Sequence, residues 1–257
     1  MRFKDKTAIV TGGANGLGRD FATTLAAEGC RVLVADFDEA GGETADEIRK
    51  KTGVKCIFQK TDVTSKREVA QMIERAIEEF GTLDILINNA GGSMSVPRAP
   101  IDQIEEEDWD KVVSLNFKGT FLCTQAAAPF MKKQQKGKIV NLSSITARIG
   151  GELTPVQYVA SKGAVSTFTR HVAQELGPYG INVNAVAPGI IMSGPRLQKM
   201  WDERKSEAEK KAYLEKIPLG RLGKVSEITG AVLFLCSEES SYITGITLDV
   251  NGGLFSI

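Results

Sequence analysis

Tyr158 and Lys162 stand four apart in Gln157-Tyr-Val-Ala-Ser-Lys162, on one face of a helical pattern. A phenol with its ordinary pKa near ~10 is a poor base at neutral pH. An ammonium one turn away stabilises the phenolate, so Tyr158 could exchange a proton with an alcohol or carbonyl oxygen. The same pair is common on solvated helices, and alone it does not choose between these readings. The other residues that could do chemistry are few. The chain has one His, His171, and four Cys, at 30, 56, 123 and 236, with no CxxC pair. That excludes a multi-His metal site and gives no zinc framework, so no metal is expected. His171 itself sits at helical spacing and reads as structural.

A second constellation lies near the start. Thr11-Gly-Gly-Ala-Asn-Gly-Leu-Gly18 follows the β-branched run Thr7–Val10 and opens a helical stretch. Gly12, Gly16 and Gly18 permit a tight turn and let backbone approach a pyrophosphate at a helix N-terminus, where free N–H groups and the dipole favour anions. The spacing is Gly-x-x-x-Gly-x-Gly rather than GxGxxG, and a purely structural turn is the competing reading. Asp36 falls 18 residues past Gly18, at the end of the next apolar run. A carboxylate there accepts hydrogen bonds from a ribose diol and repels a 2′-phosphate. Asp38 follows, and positions 15 and 37 are Asn and Phe, not basic. The expected cofactor is therefore NAD(H) rather than NADP(H). The alternative is that Asp36 only caps the following helix.

These residues need elements to hold them. Strand-like runs at Thr7–Val10, Arg31–Ala35, Val54–Gln59, Leu83–Ile87, Lys138–Leu142, Ile181–Ala187 and Ile246–Val250 alternate with helical patterns. The helices are expected from the glycine loop to about Glu28, and at Glu39–Lys51, Thr64–Phe80, Asp108–Met131, Pro155–Leu176 and Val225–Cys236. Alternation of this kind means parallel pairing, with helices covering both faces of the sheet. The expected fold class is α/β: one doubly wound domain with about seven strands and its ligand at the strands' carboxyl ends. No linker, repeat or low-complexity tract divides the 257 residues. The charge balance, 32 basic against 32 acidic side chains, argues against a nucleic-acid partner. No apolar run approaches the length of a membrane span, the N-terminus has no signal-peptide core, and scattered thiols suit a cytoplasmic location. Glycine is enriched, at 26 residues, against about 7% in ordinary chains.

Taken together the motifs resemble a family, the short-chain dehydrogenases/reductases of the single-domain type. The matches run the length of the chain: Thr11-Gly-Gly-Ala-Asn-Gly-Leu-Gly18, Asp62-Val63, Asn88-Asn-Ala-Gly91, Asn116, Ser143-Ser144, Tyr158-x-x-x-Lys162, Pro188-Gly189 and Thr244-Gly245. The resemblance implies one Rossmann-type domain over residues 1–257, with a substrate lid at about 190–217. It implies Tyr158 as general acid/base, Lys162 as the group that lowers its pKa and bonds the nicotinamide ribose, Ser144 as the holder of the substrate oxygen, and Asn116 as the orderer of a relay water beside Lys162. For the cofactor it implies Gly12, Asn15, Gly16, Leu17 and Gly18 at the phosphates, Asp36 at the ribose, and Asp62 and Val63 at the adenine. Asn89, Ala90 and Gly91 would line the floor, and Pro188, Gly189, Ile191 and Ser193 would meet the nicotinamide end.

Two departures stand out. The interval from Ser144 to Tyr158 is 14, one longer than the family's habit, with the extra residue expected in Gly150-Gly151-Glu152. Of the serine pair the resemblance assigns Ser144. Ser193 stands where the family often has Thr, which keeps a hydroxyl. In the lid segment Arg196–Lys216, Leu197, Met200, Trp201, Ala208 and Ala212 recur at roughly helical spacing. Trp201 and Tyr213 either face an apolar substrate or belong to a solvated helix with a narrow buried stripe. The expected reaction is NAD-dependent interconversion of a secondary alcohol and its ketone. The alternatives are a 3-oxoacyl thioester reductase, against which Asp36 argues, and a non-catalytic nucleotide-binding redox sensor. Family analogy and the apolar surplus on Asp108–Met131 and Pro155–Leu176 suggest a homotetramer, with a small-molecule substrate as the other partner.

Overall fold

Seven parallel strands form one sheet in the computed structural model, which describes residues 1–151, 154–204 and 206–256. The strands are β1 (Thr7–Thr11), β2 (Arg31–Asp36), β3 (Cys56–Lys60), β4 (Ile85–Asn88), β5 (Gly137–Leu142), β6 (Ile181–Pro188) and β7 (Thr247–Val250). Their order is β3-β2-β1-β4-β5-β6-β7, and every neighbouring pair is parallel. The chain therefore winds outward one way from β1 and then the other way from β4. Between those two strands the connections diverge, and a crevice opens at their carboxyl ends.

Alternation along the strands sorts the core into two layers. Ala8 and Val10 of β1 face α1 (Gly16–Ala27), α2 (Ala40–Thr52) and α10 (Val225–Cys236), where Phe21, Leu25, Ile48 and Val232 pack. Ile9 faces the opposite side, where α3 (Lys66–Phe80), α5 (Gly119–Gln134) and α7 (Val156–Leu176) contribute Met72, Ile73, Leu122 and Val172. Strands buried on both faces carry no polar alternation, as the solid apolar runs predict. α3 shows how its ends are set: Ser65 caps its start by accepting from Glu68 N, and Gly81 ends it in the left-handed region.

Several boundaries differ from the sequence pattern for local reasons. The fourth strand begins at Ile85, because Leu83 bonds the Gln134 side chain through both its N–H and its carbonyl, at 3.1 and 3.0 Å. The third begins at Cys56, because Val54 N turns back to Thr52 Oγ1. The third helix starts at Lys66, because Thr64 N and Oγ1 both bond Asp62 Oδ1 at 2.8 Å. The largest difference is at Asp108–Met131, which is not one helix. It divides into α4 (Glu106–Val113), a π turn at Ser114–Lys118, and α5. Asn116 Nδ2 donates to Val112 O at 2.8 Å, competing for the carbonyl that an α-helix reserves for the backbone N–H of Asn116. The ladder slips to i→i+5, with Gly119 N reaching Ser114 O.

The connection after β6 forms two helices, α8 (Pro195–Arg204) and α9 (Glu207–Glu215), and α6 (Thr146–Ile149) is a single turn after β5. Glu152, where the extra loop residue was expected, and the side chains of Leu197 and Met200 lie outside the described residues. Among the described residues no helix is long and apolar enough to cross a membrane.

Candidate active site

The glycine loop sits in the crevice between β1 and β4, clamped from the β4 side. Asn89 Nδ2 donates to Thr11 O at 3.0 Å and Gly12 O at 2.9 Å, and Asn89 N and Ala90 N both donate to Thr11 Oγ1. Gly12 has φ +64, and a Cβ there would lie 2.8 Å from Ala90 Cα. A Cβ on Gly18 would collide with Gly12 O. Only glycine fits these approaches. α1 starts directly behind, with Asn15 as an N-cap whose side chain makes no capping bond and with no acid in the first turn. Its leading N–H groups are thus left for an anion, which suits a pyrophosphate. Leu17 packs against the core below, and Ser193 lies over Gly16, its carbonyl 3.3 Å from where a Cβ would be.

Asp36 ends β2 at the edge of this loop. Its Oδ2 accepts from Ala14 N at 2.9 Å and its Oδ1 from Asp38 N at 3.0 Å. The carboxylate therefore braces the glycine loop as well as the turn that leads to α2. Neither Asn15 nor Phe37 supplies a cation beside Asp36. The structure adds Lys60, the register partner of Asp36 on β3. Its ammonium is held by Glu39 at 2.8 Å and lies 5.8 Å from the centre of the Phe37 ring. Asp62 is tied into its own turn by Thr64, and Val63 is buried against Gly119.

The second constellation forms at the carboxyl ends of β4, β5 and β6. Lys162 is 4% exposed, and its Nζ donates to Leu142 O, the last residue of β5, at 2.7 Å. Burial holds its pKa down at about 8. The ammonium lies 5.7 Å from the centre of the Tyr158 ring. Burial raises the Tyr158 phenol above its usual value, and a hydrogen bond with Ser144 opposes that rise. Gly91 passes between Lys162 and Asn116: a Cβ there would stand 3.1 Å from Lys162 Nζ and 2.5 Å from Asn116 Oδ1. The Asn116 amide is buried and engaged, accepting from Gly92 N and donating to Gly92 O and Val112 O. Pro188 O receives Ile145 N, Gly189 N bonds Val250 O, and Ile191 is buried in a bridge to Gly223.

Geometry separates the two serines. Ser143 Oγ donates to Lys162 O at 2.9 Å and shares a hydrogen bond with Ser166 Oγ at 2.8 Å, so it anchors α7 to β5. Ser144 Oγ is held by Thr146 instead, and the Ser144 hydroxyl works against the rise in the Tyr158 phenol. The anchoring function of Ser143 carried no sequence signal. Helices α8 and α9 close on themselves: the Trp201 and Tyr213 rings meet edge to face at 5.6 Å, and Lys210 bridges Asp202 and Glu207. Trp201 is 9% exposed, so its ring joins α8 to α9 within the lid rather than standing open to solvent. His171 is exposed on α7, and the described residues hold no metal-ligand cluster. The four thiols are buried, and Cys56, Cys123 and Cys236 are pushed up to about 12, so none is a nucleophile at neutral pH.

The family model described as enoyl-(acyl carrier protein) reductase matches residues 12–255. The chain belongs to the short-chain dehydrogenase/reductase family. It is 40% identical to the 3-oxoacyl-(acyl-carrier-protein) reductase FabG of Staphylococcus aureus over 252 residues, 97% of this chain and 98% of that protein. Among solved structures, NAD+-bound xylitol dehydrogenase superposes with a TM-score of 0.91 at 30% identity, covering 98% of this chain and all of that one. Levodione reductase gives 0.90 at 32%, covering 98% of each. The chain is an oxidoreductase of this family, with the family's fold.

Two measurements test the site's construction. Ser143→Ala removes two buried hydrogen bonds and is expected to lower stability to urea by about 1–3 kcal/mol. Lys162→Met is expected to raise the melting temperature at pH 7, where wild type carries a buried ammonium. Because the folded pKa of Lys162 lies below its unfolded value, wild type sheds that cost as pH rises from about 8 toward the unfolded pKa. The gap between the two proteins should narrow over that range; a gap independent of pH would refute the assigned burial cost.

Proposed function

We propose that the chain transfers a hydride between NAD(H) and a secondary alcohol or its ketone, with Tyr158 as general acid/base. The observation that carries this reading is the convergence of Tyr158, Ser144 and the buried Lys162 ammonium beside a glycine loop built for a pyrophosphate. A bound nicotinamide ring supplies the hydride acceptor or donor. The loop Gly12, Asn15, Gly16, Leu17 and Gly18 would hold the phosphates, and Asp36, Asp62 and Val63 the adenosine. Asn89, Ala90, Gly91, Pro188, Gly189, Ile191 and Ser193 would enclose the nicotinamide end.

The chain's own residues then handle the proton. In alcohol oxidation the Tyr158 phenolate takes the hydroxyl proton; in ketone reduction the phenol returns it. Lys162 favours the phenolate. Its ammonium lies beside the Tyr158 ring, 5.7 Å from the ring centre, where a positive charge works against the rise caused by burial. Ser144 holds the substrate oxygen at hydrogen-bond distance of Tyr158, and Asn116 fixes the π turn beside Lys162.

NAD(H) rather than NADP(H) is supported by Asp36 at the crevice edge and by the engagement of nearby cations, Lys60 with Glu39 and Arg19 with Glu47. A narrower substrate, a 3-oxoacyl thioester, is supported by the name of the Staphylococcus aureus relative. That similarity weighs more toward the thioester than toward a simple alcohol, and such a thioester is itself a ketone. Self-association is supported by an aromatic group on the outer helices. Phe117 and Phe121 lie 5.9 and 6.4 Å from Phe168, and Phe121 is 38% exposed. We place the expected homotetramer's contact there.

A panel of ketones, 3-oxoacyl thioesters and secondary alcohols, followed by nicotinamide absorbance, tests the reading. Turnover is expected with higher kcat/KM for NADH than for NADPH, and Asp36→Ala should narrow that preference. Tyr158→Phe and Ser144→Ala should each cost kcat at least about a hundredfold. Better turnover with NADPH would overturn the cofactor assignment, and an active Tyr158→Phe the acid/base assignment. Sedimentation at micromolar concentration is expected to give a tetramer's mass; a monomer would remove the proposed contact.

A further inference from the structure

The hydroxyl of Ser144 is committed before a substrate enters. Thr146 donates to Ser144 Oγ twice, from its backbone N–H at 3.2 Å and from its hydroxyl at 3.0 Å. A serine oxygen has two lone pairs and one proton. With both lone pairs turned to Thr146, the proton is what Ser144 has left to offer. Both donors run one way, from Thr146 to Ser144.

Thr146 is itself held. It opens α6, whose flanks are tied by Ile145 N to Pro188 O at 2.9 Å and Ala147 N to Ser144 O at 3.0 Å. Two residues on, Arg148 pairs with Asp249 at 3.2 Å, donates to Thr247 O at 3.3 Å, and stacks over the Phe255 ring. The turn after β5 is thus pinned to β6, to β7 and to the C-terminal segment. The methyl of Thr146 packs beside Gly151.

We propose that Thr146 is a positioning residue, which fixes the Ser144 hydroxyl and directs its proton to the substrate oxygen and to Tyr158. This rests on the functions assigned above to Ser144 and Tyr158. A polarised donor held in place before binding needs no reorganisation when charge develops on the substrate oxygen or the phenolate.

Thr146→Val keeps the shape, the methyl and the backbone N–H but removes the hydroxyl donor; Thr146→Ser keeps the donor. Each is compared with wild type in alcohol oxidation with NAD as a function of pH, with melting temperature as the folding control. Thr146→Val is expected to lower kcat about three- to tenfold, the range one neutral hydrogen bond provides. The KM for NAD should hold, and the pH at which the base ionises should move upward, since Ser144 then supports the phenolate less. Thr146→Ser should restore both. In a Ser144→Ala background Thr146→Val should cost nothing further, because its route is gone. A kcat and pH profile for Thr146→Val within about twofold of wild type, with Ser144→Ala slowed at least about a hundredfold, would overturn this inference alone. An active Ser144→Ala would overturn the assignment of Ser144 beneath it. Should Thr146→Val fold poorly, an additive loss in the Ser144→Ala background would likewise overturn the inference.

Discussion

The buried ammonium of Lys162 is the constraint around which the rest of the site is organised. Removing a full charge from water is costly unless hydrogen bonds replace the lost hydration. Here one replacement is the carbonyl of Leu142, at the end of β5 where strand pairing gives out. For that carbonyl to be in reach, α7 must cross the carboxyl edge of the sheet at one height. Ser143, gripping Lys162 O and Ser166 Oγ, sets that height. Gly91 then has no choice of residue, since any side chain would fall between Lys162 and Asn116. The π turn around Asn116 follows from the same crowding, because the amide turns back to Val112 and forward to Gly92.

A second buried polar network joins β4 and β5 to α5 and α7. Asn88 and Asn141 are register partners on β4 and β5. Asn88 Nδ2 bonds Asn141 Oδ1 and Thr124 Oγ1, and Asn141 Nδ2 bonds Thr169 Oγ1. Next along the chain, Asn89 clamps the glycine loop. Two adjacent asparagines thus divide the work: one fastens the helices, the other the glycine loop. Both are needed where the strand order reverses, since no crossover helix bridges β1 and β4 directly.

The sequence displays those parts of the design that depend on spacing. Alternating patterns reveal the parallel sheet, a four-residue interval aligns Tyr158 with Lys162, and a glycine loop after a strand marks the crevice. Residues acting through distant chain segments leave no such trace. Ser143 and Ser144 are chemically identical neighbours, and only the direction each faces from β5 separates anchor from site. Lys60 lies 24 residues from Asp36 and becomes relevant only through strand register. Helical periodicity runs smoothly through Ser114–Lys118, because a π turn adds one residue without breaking the apolar stripe, so the break shows only in the hydrogen bonds. In the lid, spacing marks Trp201 and Tyr213 as apolar, but whether such rings meet a substrate or each other depends on the fold of the hairpin.

Chemistry and selectivity are held by different means. The proton-handling groups are fixed by strand ends, a buried carbonyl and a crossing helix, all inside a sheet with apolar cover on both sides. Helices α8 and α9 are held by their own edge-to-face ring pair and by Lys210, which pairs with the exposed carboxylates of Asp202 and Glu207; surface pairs of this kind contribute little each. Under the proposed function, changes in α8 and α9 would alter which ketone is admitted without moving Tyr158 or Lys162. Changes at the end of β5 would, on the same reading, disturb every substrate alike, because Leu142, Ser143 and Ser144 are consecutive and serve Lys162, α7 and Tyr158 in turn. Rigidity is concentrated where the charge is buried, and the freedom to vary lies where little charge has been taken out of water.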